Sequence, residues 1–548
     1  MWSTAQKLNK NKNVVPVIDL FAGPGGLSEG FSAFKSGGSL PFDVRLSIEK
    51  DAAAHQTLLL RAFFRKFRGS KVPKGYYEYI RSEISREELF QRHPVEAESA
   101  EQEARHAELG GAELSPNTLD SWVSEALGDA DPWALIGGPP CQAYSMAGRS
   151  RNRGIKGYTP EADARHYLYR EYLRIVARHW PSVFVLENVK GLISSRVGGA
   201  SILGRMLEDL SDPASAVSPD GDGRQYRYHL HSLVAPTQFG IDGVPLNQYS
   251  DFLIESERYD IPQTRHRIIL LGIRDDLSQD PQTLKPSSKP VSAREVLDGL
   301  PRLRAGLSRD EHGRISHTAD SREDWKKAMS CMLTTRVRRS IRACAGEDVL
   351  RLVEKTIEEL KAPIHNRGAE FIKHDTKARH AAVWYLDPRI GGVCNSSTRN
   401  HLPEDLHRYL YAACFAKVHS RTPLLKDFPE ELLPKHKNVG KAIKNRHFAD
   451  RFRVQLESQP STTVVSHIAK DGHYYIHYDP TQIRSLTVRE AARLQTFPDN
   501  YFFCGNRTEQ YAQVGNAVPP LLARQVAEVV FELLSRQESI GDERRAIA

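Results

Sequence analysis

Cys141, Glu187, Arg265 and Arg267 are the residues of this chain whose types and settings suit chemistry. A thiolate is a strong nucleophile once a helix terminus or a positive charge lowers its pKa. Cys141 closes the run Gly137-Gly138-Pro139-Pro140-Cys141. Prolines fix φ and remove N–H donors, so this loop is rigid and presents one side chain. Most lone cysteines are small buried hydrophobes, but a core cysteine needs neither the glycines nor the prolines. Glu187 ends an apolar run and is followed by Asn188; a carboxylic acid held there can share a proton with a substrate nitrogen. Arg265 and Arg267 alternate with Thr264 and His266. On a strand they share one face, where two guanidiniums suit a carboxylate, a phosphate or a base edge. A structural ion pair is the plainer reading of each charge.

A second group surrounds glycines 23, 25 and 26. They let the chain turn sharply after a strand and approach a ligand closely. The dinucleotide fingerprint asks for a further glycine where Ser28 stands, which weakens a nicotinamide reading. Glu49, at the end of the next apolar run, suits the two hydroxyls of a ribose. Together these features fit an adenosine cofactor without a pyrophosphate. A tight turn with no ligand fits them equally.

The elements that position these groups follow an α/β pattern. Val14–Leu20 predicts a strand leading into the glycine turn and a helix to about Lys35. Val44–Ile48, Trp133–Ile136, Val183–Leu186 and Arg267–Ile273 predict further strands, the last buried on both faces. Strands feeding helices imply a parallel sheet with ligands at its carboxyl edge. Residues 61–118 are highly charged and read as an insertion, with Glu96–Glu108 an exposed helix. Residues 211–223 read as a surface loop. The alternation fades between 301 and 479, where a second, smaller domain is expected.

Composition sets the frame. The 548 residues are 40% hydrophobic and 26% charged, ordinary for a soluble globular protein. A net charge of +8 permits a polyanionic partner without requiring one. No apolar run approaches the roughly 20 residues of a membrane helix, and residues 1–13 lack a signal-peptide core. The six cysteines form no CxxC pair, so a disulfide framework and a zinc ribbon are both poor readings; no metal site is expected.

The order of the motifs resembles that of the DNA (cytosine-5) methyltransferases, in particular the bacterial restriction–modification methylases. The matching segments are DLFAGPGGLSEGF at 19–31, GGPPCQAYS at 137–145, ENVKG at 187–191, PQTRHR at 262–267, RSLTVREAARLQTFPDNY at 484–501 and QVGNAVPP at 513–520. The resemblance implies a doubly wound, mostly parallel Rossmann-like sheet of the S-adenosylmethionine-dependent type, with a smaller, irregular target-recognition domain. It divides the chain into a catalytic domain at 1–295, a recognition domain at 296–504 and a segment returning to the catalytic domain at 505–548.

Residue by residue, it implies Cys141 as nucleophile, Glu187 on the cytosine edge, Arg265 on the base and Arg267 in support. Gln142 and Ser145 would touch DNA beside a flipped base. S-adenosylmethionine would be held by Phe21, Gly23, Gly25, Glu49, Pro140, Leu168, Phe497, Asn516 and Val518. An N4-cytosine or adenine methylase attacks through an exocyclic amine and needs no such cysteine. Two departures stand out: Asp260-Ile261 precedes the arginine motif where the family has Gly-Val, and the acid expected after the third strand has only Glu113 as a candidate.

The implied partner is duplex DNA, with a cognate restriction endonuclease acting on the same site, a monomeric state and a bacterial cytoplasmic location. Basic clusters in the variable stretch would neutralise phosphates: Arg336, Arg338, Arg339 and Arg342, and the segment 435–453 with Lys435, Lys437, Lys441, Lys444 and Arg446. A tRNA cytosine-5 methyltransferase and a non-catalytic DNA-binding relative are the alternatives. The large variable region argues against the first, and intact Cys141, Glu187 and Arg265 argue against the second.

Overall fold

The computed structural model describes residues 14–67, 71–140, 165–197, 199–218, 226–277, 280–308, 320–435, 439–440 and 449–547. Eight strands build its main sheet. They are β1 (Val15–Leu20), β2 (Phe42–Glu49), β3 (Ala104–His106), β4 (Ala134–Gly137), β5 (Val183–Val189), β6 (Tyr228–Ser232), β7 (Leu253–Glu255) and β8 (His266–Arg274). The order is β3-β2-β1-β4-β5-β8-β6, with β7 also on β8. The first five strands are parallel to one another, which makes the sheet α/β and mostly parallel. β1 is apolar except for Asp19 and buried along its whole length, as a central strand covered on both faces must be.

Strand β8 departs from the expected parallel arrangement. It runs antiparallel to β5, β6 and β7, because a tight return replaces the crossover helix that a parallel entry would need. Its burial on both faces is as expected. The reversal brings the start of β8, with Arg267, to the carboxyl end of β5, with Glu187.

Helix α1 (Gly26–Ala33) and the last helix share one hydrophobic cluster with Val15, Val17 and Val44. Leu119 and Val123, with Tyr172 and Ile175, cover the other face against Ile18, Leu20 and Leu135. These side chains belong to helices spanning Pro116–Leu127 and Arg165–His179. The last helix spans Pro520–Ile547.

The charged stretch 61–118 is more tightly built in than an exposed insertion. Helix α2 (Ala52–Lys66) runs into it, followed by α3 (Lys74–Ile80), α4 (Arg86–Arg92) and α5 (Pro94–Glu103). The expected helix over 96–108 stops at Glu103, and Ala104–His106 becomes β3 beside β2. Glu103 is buried, because Arg65 and Lys66 of α2 both pair with it, Lys66 at 2.7 Å. The loop expected at 211–223 contains a short helix, Pro213–Val217.

The variable stretch has a small helical core. Helices Arg322–Ser330, Thr335–Ala345, Glu347–Glu358 and Pro403–His419 pack around Trp325, Ile341, Val353 and Tyr409. Three arginines of its basic cluster are engaged internally: Arg336 with Glu431, Arg338 with Glu354 and Arg342 with Glu347. Such pairs offset the charge that the sequence advertises. Among the described residues no helix is long and apolar enough to cross a membrane.

Candidate active site

The turn after β1 is bent by residues in left-handed conformations. Phe21 has φ 58°, Gly23 57° and Gly25 94°. A Cβ on Gly25 would lie 2.9 Å from both Leu58 Cδ1 and Tyr501 Oη. A Cβ on Gly26 would lie 2.2 Å from the Val518 carbonyl oxygen. The glycine turn and the QVGNAVPP segment are therefore fitted backbone to backbone, and only glycine allows it.

Glu49 closes this turn. Its Oε2 accepts from Gly23 N–H at 2.7 Å and its Oε1 from Asp51 N–H at 2.7 Å. Burial raises its pKa, against those two donors. Each carboxylate oxygen keeps a further lone pair for a ligand hydroxyl. Phe21 is half-buried beside the turn, Val518 is buried behind it, and Asn516 is exposed at the end of helix Arg507–Asn516. Leu168 is half-buried on helix Arg165–His179. Phe497 is fully buried, its ring 4.7 Å from Tyr501 and 5.1 Å from Phe503.

Parallel pairing of β4 and β5 aligns Gly137 with Leu186. The residues just beyond, Gly138 and Glu187, then stand side by side; a Cβ on Gly138 would lie 3.3 Å from Glu187 Oε2. Asn188 Nδ2 reaches the Pro139 carbonyl at 3.5 Å, tying the two strand ends together. Pro140 is half-buried. Cys141, Gln142 and Ser145 follow outside the described residues, as do Lys437, Lys441, Lys444 and Arg446; Lys435 lies within them.

Across the reversed strand, Arg267 Nε lies 3.1 Å from Glu187 Oε1. The contact is ionic rather than a well-aligned hydrogen bond, since Oε1 has no donor in hydrogen-bonding geometry. Arg265 takes different partners. Its Nη1 donates to the Val464 carbonyl at 2.9 Å and the Gly515 carbonyl at 3.3 Å, while its buried Nε is unpartnered. Burial, with the Arg267 charge adding, pushes its pKa down to about 9. A desolvated guanidinium with a spare donor is poised for an anion or a base edge.

Sequence reasoning missed the amides that hold this frame. Gln263 is fully buried; its Nε2 donates to the Leu494 carbonyl at 2.9 Å and to Gln495 Oε1 at 2.5 Å, and its Oε1 accepts from Val464 N–H at 3.0 Å. Gln495 Nε2 in turn donates to the Val514 carbonyl at 2.7 Å. This chain joins PQTRHR, the 461–464 segment and QVGNAVPP. Gln263 and Gln495, standing inside the PQTRHR and RSLTVREAARLQTFPDNY segments, were the available signal. Glu113, the weak candidate acid, is exposed. Glu108, two residues past β3, instead pairs with Lys50 at 3.0 Å.

The C-5 cytosine-specific DNA methylase family matches residues 121–214 and 248–532. Type II methyltransferase M.Bpa9945I of Bacillus paralicheniformis is 30% identical, over 95% of this chain and 99% of that protein. Type II methyltransferase M.AgeI of Thalassovita gelatinovora is 27% identical, over 77% and 87%. DNA (cytosine-5-)-methyltransferase M.ApeKI of Aeropyrum pernix is 26% identical, over 74% and 83%. With its glycine turn, its Gly-Gly-Pro-Pro strand end and its Glu187–Arg267 pair brought to one edge of the sheet, the chain belongs to the C-5 cytosine-specific DNA methylases.

Proposed function

We propose that this protein methylates C5 of a cytosine flipped out of a specific duplex DNA sequence, as the modification enzyme of a restriction–modification system. The observation that carries this reading is the Glu187 carboxylate, 3.1 Å from Arg267 and beside the turn that leads to Cys141. S-adenosylmethionine is the methyl source, and the glycine turn suits it: Glu49 has lone pairs for a ribose, and the backbone at Gly23 has no atom crowding its Cβ position. Phe21, Gly23, Gly25, Glu49, Pro140, Leu168, Phe497, Asn516 and Val518 would hold or back it. When bound, it supplies an electrophilic methyl group on a sulfonium.

The Cys141 thiolate adds to C6, forming an S–C6 bond while the C5–C6 π pair moves to make an enamine that is nucleophilic at C5. Glu187 holds the proton at N3 and stabilises the charge that develops there, with Arg265 on the base and Arg267 fixing the carboxylate. After C5 gains the methyl, loss of the C5 proton restores the double bond and expels the thiolate. A stacked base cannot be reached from both ring faces, so flipping is required. Gln142 and Ser145 would contact DNA there, and residues 296–504, with the basic segment 435–453, would read the sequence.

The enzyme would act as a monomer in the bacterial cytoplasm, alongside an endonuclease of the same specificity. Mapping 5-methylcytosine in DNA from cells expressing the chain tests the reading; one recurring methylated sequence is expected. Unmethylated DNA with labelled methyl in tRNA would overturn it. Cys141→Ser should abolish methyl transfer while cofactor binding survives.

A further inference from the structure

Asp19 opens the first motif, two residues before the left-handed Phe21, and is fully buried. Neither of its carboxylate oxygens has a hydrogen-bond donor. Ser47, its register partner across the β1–β2 ladder, is equally buried, and its hydroxyl is also unpartnered. Ser28 on α1 completes the group. Its hydroxyl donates to the Gly25 carbonyl at 3.3 Å; that hydroxyl and the Ser28 N–H both favour the Asp19 carboxylate without either reaching hydrogen-bonding geometry.

The charges felt at Asp19 come from each packed element. Arg65 of α2 favours its ionised form and Glu49 of β2 opposes it. Tyr172, on the helix across the sheet, is coupled to it. Glu29 of α1 is already taken by Arg61 at 2.5 Å. Burial outweighs all of these and pushes the Asp19 carboxyl up to about 7.

A desolvated carboxyl without partners holds its proton until a cation comes near. The turn above Asp19 is the one whose Gly23 is held by Glu49. The methyl donor of the proposed reaction carries a sulfonium, and its spent thioether form does not. We infer that Asp19 is a positioning residue for the cofactor's charge: from beneath the glycine turn it favours the cationic sulfonium over the neutral thioether, giving up its proton when the cation binds. This rests on the reading that the turn holds S-adenosylmethionine. The proton leaves to solvent, so binding of the donor strengthens with pH. The same coupling weakens the hold on the product, helping exchange after each turnover.

Infrared difference spectra of the full chain, free and ligand-bound at pH about 6, test this directly. S-adenosylmethionine should bleach a protonated-carboxyl band and raise carboxylate bands; S-adenosylhomocysteine should not, and Asp19→Asn should show neither change. Calorimetry on the same samples should show the donor-to-product affinity ratio rising roughly three- to tenfold between pH about 6 and about 8 in the wild type. In Asp19→Asn any rise left belongs to the ligands' own titration. No bleach with the donor, an equal bleach with both ligands, or the same rise in the variant would each overturn the inference while leaving the cofactor reading intact. Should the variant fail to fold, the wild-type spectra alone decide. Absence of binding heat with either ligand would overturn the cofactor reading and this inference together.

Discussion

Asp19 and Glu490 are both buried carboxyl groups inside sequence motifs of this chain, yet their surroundings are opposite. Glu490 accepts from Arg484 Nη1 at 2.6 Å, from Arg484 Nη2 at 2.7 Å and from Thr487 N–H at 2.7 Å. Burial opposes its charge, but the Arg484 guanidinium holds its pKa down to about 2. Asp19 has no donor in hydrogen-bonding geometry, and burial, with the Glu49 charge adding, carries its pKa up to about 7. The difference separates two uses of a buried acid. Glu490 lies six residues from its arginine, so a local loop satisfies it and gains rigidity. Asp19 lies on a central strand whose neighbours offer it one hydroxyl on each side, so its charge is left for something that the fold does not contain.

Breaking the satisfied group should have the largest effect. Glu490→Gln leaves Arg484 buried without a counter-charge, and loss of one partner of a buried pair costs about 3–5 kcal/mol. The sign with pH follows from the lowered pKa. This stability is fully present above the unfolded value near 4.5 and is lost as pH falls through about 2. Urea melts of wild type and variant should therefore be furthest apart near neutrality and should converge in acid. A gap that stays constant with pH would show that the pair is not what Glu490 supplies.

The unsatisfied group should show the reverse slope. The unfolded chain ionises Asp19 near 3.8, while the folded chain keeps the proton to about 7. Its contribution is thus most favourable below the unfolded value and is lost as pH rises through the folded one. Between pH 5 and 8 the wild type should lose about 2–3 kcal/mol relative to Asp19→Asn. Parallel stability profiles for the two proteins over that range would mean that Asp19 is already ionised, and the contrast with Glu490 would collapse.

How much of this was legible in the sequence depends on how local each cause is. The glycine turn, β1, β2, β4 and β5 were readable, because strand, turn and helix follow one another within a few residues. Strand β3 was not. Ala104–His106 follows a run of glutamates, and Glu103 is buried only because Arg65 and Lys66, on α2, close on it. The reversal of β8 was hidden for a related reason, since an apolar strand looks the same in either direction. The arginines at 336, 338 and 342 looked like a phosphate-binding cluster. Their glutamates at 431, 354 and 347 lie 95, 16 and 5 residues away; the first is beyond any local pattern, and the other two depend on how the two helices fold back on each other. Cys141, Glu187 and the two arginines stood out by type and setting, yet the different partners of Arg265 and Arg267 came only with the fold.

Asp387 offers an intermediate case that sharpens the contrast, and the smallest effect. It is largely buried, and it combines both kinds of donor: Arg389, two residues on, gives Nε and Nη2, each at 2.9 Å, and its N–H at 3.2 Å, while Tyr77 Oη at 2.8 Å and Asn500 Nδ2 at 2.9 Å come from other parts of the chain. These hold its pKa below the usual range against burial. Tyr77 belongs to α3, so the bond also clamps the 61–118 segment onto the variable stretch, beside Cys394 Sγ, which reaches the Ile80 carbonyl at 3.4 Å. Tyr77→Phe removes one donor and leaves the others in place, so it should cost about 1 kcal/mol. Paired with Asp387→Asn in a double-mutant cycle, it should show a coupling energy of similar size. A coupling of zero would mean that the clamp is held by packing alone. Asp387 would then resemble neither Glu490 nor Asp19, and partners recruited from across the chain would not stabilise a buried acid as a local arginine does.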